Sequence, residues 1–153
     1  MALLDVDFPE DFLKEFLSTD FDLIAEEALS ETGTILERSM KEACKNSVDH
    51  EGDSELANSI KATKPIKTKN GAWIVRVSPT GYSKTKVYYA KNGKGVRTKR
   101  KYSVSNALKA IWKEYGIPGH QTAKPFMQKA CNEARTVTEK VIQEIFDRRV
   151  GTK

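Results

Sequence analysis

Histidine and cysteine, the side chains that most often mark a triad or a metal site, are scarce in this 153-residue chain. There are two histidines, His50 and His120, and two cysteines, Cys44 and Cys131. His50 sits in a charged loop and His120 in a Gly-His-Gln turn. Neither has a serine, cysteine or second histidine at the spacing of a triad or a ligand pair. The cysteines form no CxxC pair, and both fall on apolar helical positions, where reduced and buried thiols are expected. Gly93-Lys94-Gly95 lacks the rest of a phosphate-binding loop. The acids of the N-terminal helix are spread around it, as on a solvated face. The reading is of a non-enzyme with no catalytic residue, no metal site and no cofactor.

One constellation does carry chemistry. Lys84, Lys86, Lys91, Lys94, Arg97, Lys99, Arg100 and Lys101 crowd a short segment and are interleaved with Tyr82, Tyr88, Tyr89 and Tyr102. Cations neutralise phosphates and rings stack on bases, so the segment suits nucleic acid. It suits an acidic protein surface equally. A third use is plainer, since lysines along an exposed sheet edge block edge-to-edge aggregation.

The elements that would hold this segment follow from spacing. Pro9, Glu10 and Asp11 suit the first turn of a helix over 8–18, with Phe8, Phe12, Phe16 and Leu17 as its apolar stripe. A long helix over 20–47 is capped by Asp20 and buries Phe21, Ile24, Ala28, Ile35, Met40 and Ala43, with a weak point at Gly33 and Thr34. After a loop over 48–53, residues 58–67 read as an edge strand because Pro65 cannot donate to a ladder. Asn70-Gly71 signals a hairpin, and Trp73, Val75 and Val77 alternate with Ile74, Arg76 and Ser78 over 72–78. Residues 82–102 form a second, basic hairpin with few side chains able to fill a core, expected to project. Ser103 or Ser105 caps a helix over 105–115 with Ala107, Leu108, Ile111, Trp112 and Tyr115 on its apolar side, ended by Gly116. A last helix spans 124–149, its inner face including Met127, Ala130, Cys131, Ala134, Val137, Val141, Ile145 and Phe146. The fold class is α+β in one domain, 1–153. A small antiparallel sheet of about four strands packs against two long helices, with short extra helices, an N-terminal helical extension over 1–18 and the projecting hairpin.

Composition narrows the class. Hydrophobic residues make up 39% and charged residues 31%, too apolar for disorder and too charged for a membrane protein. No run approaches the roughly 20 apolar residues of a membrane span. The acidic opening is unlike a signal peptide, so synthesis in a cytoplasm is expected. Charge is unevenly divided. Residues 1–55 hold 16 acids and 4 bases, net −12, whereas residues 56–153 hold 5 acids and 22 bases, net +17. Opposed fields of this kind steer like subunits head to tail; the alternative is two solvated faces.

Two stretches carry a family likeness. The first is Ser54-Glu55-Leu56-Ala57-Asn58-Ser59-Ile60. The second is Ala110-Ile111-Trp112-Lys113-Glu114-Tyr115-Gly116, followed by Ala123-Lys124-Pro125-Phe126-Met127-Gln128-Lys129-Ala130. In order and spacing, over roughly residues 20–149, the chain resembles the neck, head–tail joining and tail-completion proteins of long-tailed phages, which include minor tail components. The chain departs from that pattern in Ile117-Pro118, where a Thr is common, in its longer basic hairpin and in its Phe-rich opening. The resemblance implies a virion structural subunit at the head–tail junction or in the tail, assembled as a homo-oligomeric ring around the DNA channel. Adjoining head-connector and tail proteins would be its partners, and the host cytoplasm its place before assembly. Leu56, Ser59, Ile60, Trp112, Glu114, Tyr115, Gly116, Pro125, Phe126 and Ala130 would mainly build the fold, while the hairpin cations would meet DNA or protein. The rival from the residues alone is a free nucleic-acid-binding module using the same hairpin.

Overall fold

Asp20 caps the first helix as its position predicts. Its carboxylate accepts the Asp22 and Leu23 N–H groups at 3.1 and 3.3 Å, satisfying two of the donors a helix start leaves open. The computed structural model describes residues 20–47, 53–83, 86–91, 93, 95 and 97–150. The expected opening helix over 8–18 and most of the loop over 48–53 lie outside these residues. Helix α1 runs from Phe21 to Asn46 without interruption. Gly33 is therefore no break. A Cβ there would stand 2.9 Å from Val75 Cγ2, so the glycine lets strand residues approach the helix closely.

A short helix, α2 (Asp53–Ser59), comes next and leads directly into strand β1 (Ile60–Ala62). The expected strand over 58–67 thus begins two residues late, because Leu56, Ala57 and Ile60 bury a helical face and not an alternating one. Strands β2 (Ile66–Lys67), β3 (Trp73–Ile74) and β4 (Val77–Pro79) follow. β1 pairs with β4 and β2 with β3, all antiparallel. Between Ala62↔Val77 and Ile66↔Ile74, three residues on one side oppose two on the other. That one-residue bulge falls at Pro65, which cannot donate. It divides what the sequence reads as one small sheet into two two-stranded ladders. The turn closes through Thr68–Ala72, with Thr68 N–H on Ala72 O at 2.8 Å and Gly71 at φ 82°. Asn70 keeps a negative φ, so the Asn-Gly pair works in a three-residue loop with Gly71 in the left-handed region, not in a two-residue turn.

Strands β5 (Lys86–Lys91) and β6 (Arg97–Tyr102) pair from Lys86↔Tyr102 to Lys91↔Arg97. The hairpin's foot is pinned. Ser83 N–H donates to Val104 O at 2.8 Å, Asn106 N–H to Gly81 O at 3.0 Å and Asn106 Nδ2 to Thr80 O at 2.8 Å. Helix α3 (Asn106–Tyr115) starts at Ser105, whose hydroxyl accepts the Leu108 N–H. The final helix α4 (Phe126–Val150) runs antiparallel to α1.

The two long helices bury two clusters. Near the start of α1, Ile24 and Ala28 meet Ile145. Near its end, Met40, Ala43 and Cys44 meet Leu56, Ala57, Ile60, Ala110, Phe126 and Ala130. The antiparallel arrangement is closed by Glu27, which holds Arg148 and Arg149 at 2.6 Å each. Three sequence expectations change here. Phe21 is 42% exposed and Val137 half exposed. Cys131 is also exposed, while Cys44 is fully buried. The α4 contact row runs Phe126, Ala130, Ala134, in steps of four, and Cys131 sits one residue off it.

Candidate functional site

Backbone and side-chain hydrogen bonds tie the hairpin foot, α3 and the start of α4 together, and residues of the two sequence stretches supply several of them. Leu56 and Ile60 are fully buried. Ser59 donates to Leu56 O at 2.7 Å, and its own carbonyl accepts Thr80 N–H and Oγ1 at 2.9 Å. Glu114 projects inward from α3, 6% exposed, and its two oxygens accept the Met127 and Gln128 N–H groups at 2.8 and 3.0 Å. A carboxylate from one helix therefore caps another, at the positive end of its dipole. Gly116 has φ 77°, and a Cβ there would lie 2.7 Å from Gln121 O and 2.8 Å from Ala123 N. Only glycine fits, because the chain doubles back through the Ile117–Gln121 turn to deliver Pro125 and Phe126 to α4. Phe126 and Ala130 are buried in the main cluster.

Helix α3 is oriented opposite to expectation. Its inward residues are Asn106, Ala110, Lys113 and Glu114, all buried. Its outward residues are Leu108 at 40%, Ile111 at 49% and Tyr115 at 76% exposure, with Trp112 half-buried at the side. Asn106 and Glu114 go inside because their side chains fasten backbone ends, Asn106 the hairpin foot and Glu114 the start of α4; the Lys113 backbone carbonyl accepts the Lys124 N–H at 2.7 Å. So of the motif residues expected to build the fold here, Glu114 is buried, Trp112 and Gly116 are half-buried and Tyr115 is exposed. Next to the α3 cap, Tyr82 and Tyr102 are also exposed, at 73% and 45%.

The hairpin cations are brought together by register. Residues paired across an antiparallel ladder share a face. The pairs Lys91↔Arg97, Tyr89↔Lys99 and Val87↔Lys101 place positions 91, 97, 99 and 101 on one face. Positions 86 and 100 fall on the other. Arg97 and Lys99 are exposed; of Lys86, Lys91, Arg100 and Lys101 the structure gives the strand position, and Lys84 and Lys94 lie outside the described residues. From residue 56 to residue 113 there are fifteen Lys and Arg and no Asp or Glu, a longer acid-free run than the hairpin itself.

Two other groups bind elements together. Asp22 accepts the Trp73 indole N–H at 2.9 Å and pairs with Lys67; these bonds hold its carboxyl below the ordinary range. Glu37 pairs with Lys41 and accepts the Ala62 N–H at 2.7 Å, fixing β1 to α1, and the Lys41 ammonium first and that N–H second hold its carboxyl low as well. Among the described residues, no three of His, Cys, Asp and Glu are grouped to hold a metal ion. The open recess of about 600 Å³ beside α1 has Glu26, Glu27 and Glu31 on its wall but no histidine or cysteine. His120 lines a separate recess of about 490 Å³ with Tyr115 and Ile117, where no acid faces it. No helix among the described residues is long and apolar enough to cross a membrane.

Residues 10–116 match the family described as "Bacteriophage HK97-gp10, putative tail-component". The chain belongs to this family. The match begins inside the Phe-rich opening, runs through the basic hairpin and ends at Gly116. It contains both the 54–60 and the 110–116 stretches, while Pro125, Phe126 and Ala130 lie beyond it. Membership makes the chain a phage tail component, and the α+β fold expected for it is the one observed. No curated protein and no solved structure matches the chain. Sequence reading missed helix α2 and the inward polar face of α3. The signal for the second was present: Asn106, Lys113 and Glu114 recur at helical spacing, as regular a stripe as the apolar one opposite.

Proposed function

We propose that the chain is a structural, non-catalytic subunit of the phage neck or tail-completion region, joining head and tail as part of an oligomeric ring. The family membership carries this reading. The −12 and +17 halves support it, because a head-to-tail contact between copies sets opposite charges face to face and closes when the rotation closes. Adjoining head-connector and tail proteins are its partners in the virion, and the host cytoplasm is where the free subunit resides. Lys84, Lys86, Lys91, Lys94, Arg97, Lys99, Arg100 and Lys101 form the arm that contacts channel DNA or an acidic neighbouring ring. The test is assembly: particles produced without the chain accumulate as separate heads and tails, and purified protein restores joining. Joining that proceeds undiminished in its absence refutes the reading.

A second reading has its own observation. The acid-free run and the four cationic positions on one hairpin face fit a module that binds nucleic acid by itself. Duplex DNA would then bind at low salt, and affinity would fall steeply as salt displaces the released counterions. The triple variant Arg97→Glu, Lys99→Glu, Arg100→Glu would abolish that binding. No binding at low salt eliminates this second reading.

A further inference from the structure

The outward face of α3 is an apolar stripe, opposite the face on which Asn106, Lys113 and Glu114 are buried. Leu108, Ile111 and Tyr115 recur every three to four residues and are 40 to 76% exposed. The stripe ends at the recess of about 490 Å³ walled by Tyr115, Ile117 and Pro118. Lys109, half-buried, lies on α3 between this stripe and the inward face, and the run from residue 56 to 113 that contains nearly all of α3 holds fifteen Lys and Arg and no acid. The face therefore fits an amphipathic helix that is apolar on one side and acidic on the other.

The chain contains such a segment. Phe8, Phe12 and Phe16 are spaced four apart, with Leu17 beside them, and Asp5, Asp7, Glu10, Asp11 and Glu15 surround them against a single Lys14. It lies before Asp20, at the far end of α1 from α3. Ala110 packs with Met40 to Cys44, about twenty residues along α1, which is about 30 Å at 1.5 Å per residue. From Asp20, Phe16 can reach no further than about 14 Å even if fully extended. Wound as the helix their spacing predicts, residues 8–17 would fall short of the α3 of their own chain.

We infer that the Phe8, Phe12 and Phe16 segment of one copy docks on the Leu108, Ile111 and Tyr115 face of the next. This rests on the ring reading above and names its contact: the acidic opening of each subunit seats on the basic, apolar α3 side of its neighbour. Such a contact is heterologous, so each copy carries one donor and one acceptor. Apolar anchors supply affinity and the charges supply register and rate.

Two full-length variants test it. Ile111→Asp disables the acceptor, at a side chain exposed in the structure, and Phe12→Ser the donor. Each variant alone loses at least about tenfold in self-association by sedimentation velocity. Mixed, they form a one-to-one pair and grow no further, because the intact α3 face of one meets the intact opening of the other. A photo-reactive phenylalanine analogue at position 12 cross-links to residues 108–121 of a second copy, identified by mixing isotope-labelled and unlabelled chains. Oligomers that form as well in either variant as in the parent overturn the inference and leave the ring standing. So does a mixture that fails to pair, or cross-linking within one chain to the Leu23 and Ile66 region. A parent chain that never associates, free or on tails, overturns both.

Discussion

Glu114 shows how much one residue organises. Its carboxylate is the cap of a helix it does not belong to, and it is buried while doing so. Glu114→Ala should cost about 2 kcal/mol in chemical denaturation, and Glu114→Gln less, since an amide oxygen still accepts. Gly116→Ala meets two obstacles, a left-handed φ and backbone atoms within 2.8 Å; it should destabilise by at least about 2 kcal/mol. Glu37 gives the protein a pH dependence of known sign. Its folded pKa lies below the ordinary 4.5, so the unfolded chain binds the proton first as pH falls. The stabilisation is complete above that ordinary value and is lost as pH falls towards and through the lowered one. Glu37→Gln should flatten the acid limb of a stability-versus-pH curve. An unchanged limb would mean the bonds to Lys41 and Ala62 do not form in solution.

Helix α3 is the element where sequence and structure part most instructively. Its boundaries, a serine cap narrowed to Ser103 or Ser105, and its Gly116 stop were legible, because caps and stops are local chemistry. Its orientation was not, because periodicity finds two faces and assumes that the apolar one turns inward. Here the inward face holds side chains that complete other elements' backbone hydrogen bonds, a requirement visible only once those ends are placed. The stability consequence is measurable. Ile111→Ser should change the unfolding free energy by no more than about 0.5 kcal/mol, whereas Phe126→Ala should cost about 3–5 kcal/mol. A large loss at Ile111 would mean that its face packs within the monomer. The long helices and the 86–102 hairpin were legible for the opposite reason, their length and regular pattern. Pro65 told of an edge but not of the bulge, since a register slip depends on both strands.

At the scale of the whole molecule, charge and apolar surface run in the same direction along the chain. The acidic half begins with a Phe-rich segment and the basic half contains the exposed stripe of α3. Under the proposed ring this polarity has a purpose, for a ring subunit needs two unlike faces that recognise each other. Association should weaken with salt, because exposed charges are screened beyond about 8 Å at physiological ionic strength; apolar contact alone would be insensitive or strengthened. The most direct measurement is electron cryomicroscopy of phage particles assembled with this chain. The account predicts a ring of its copies at the head–tail junction or tail end, with α3 of each copy covered by its neighbour. Complete particles that contain none of it would contradict the account.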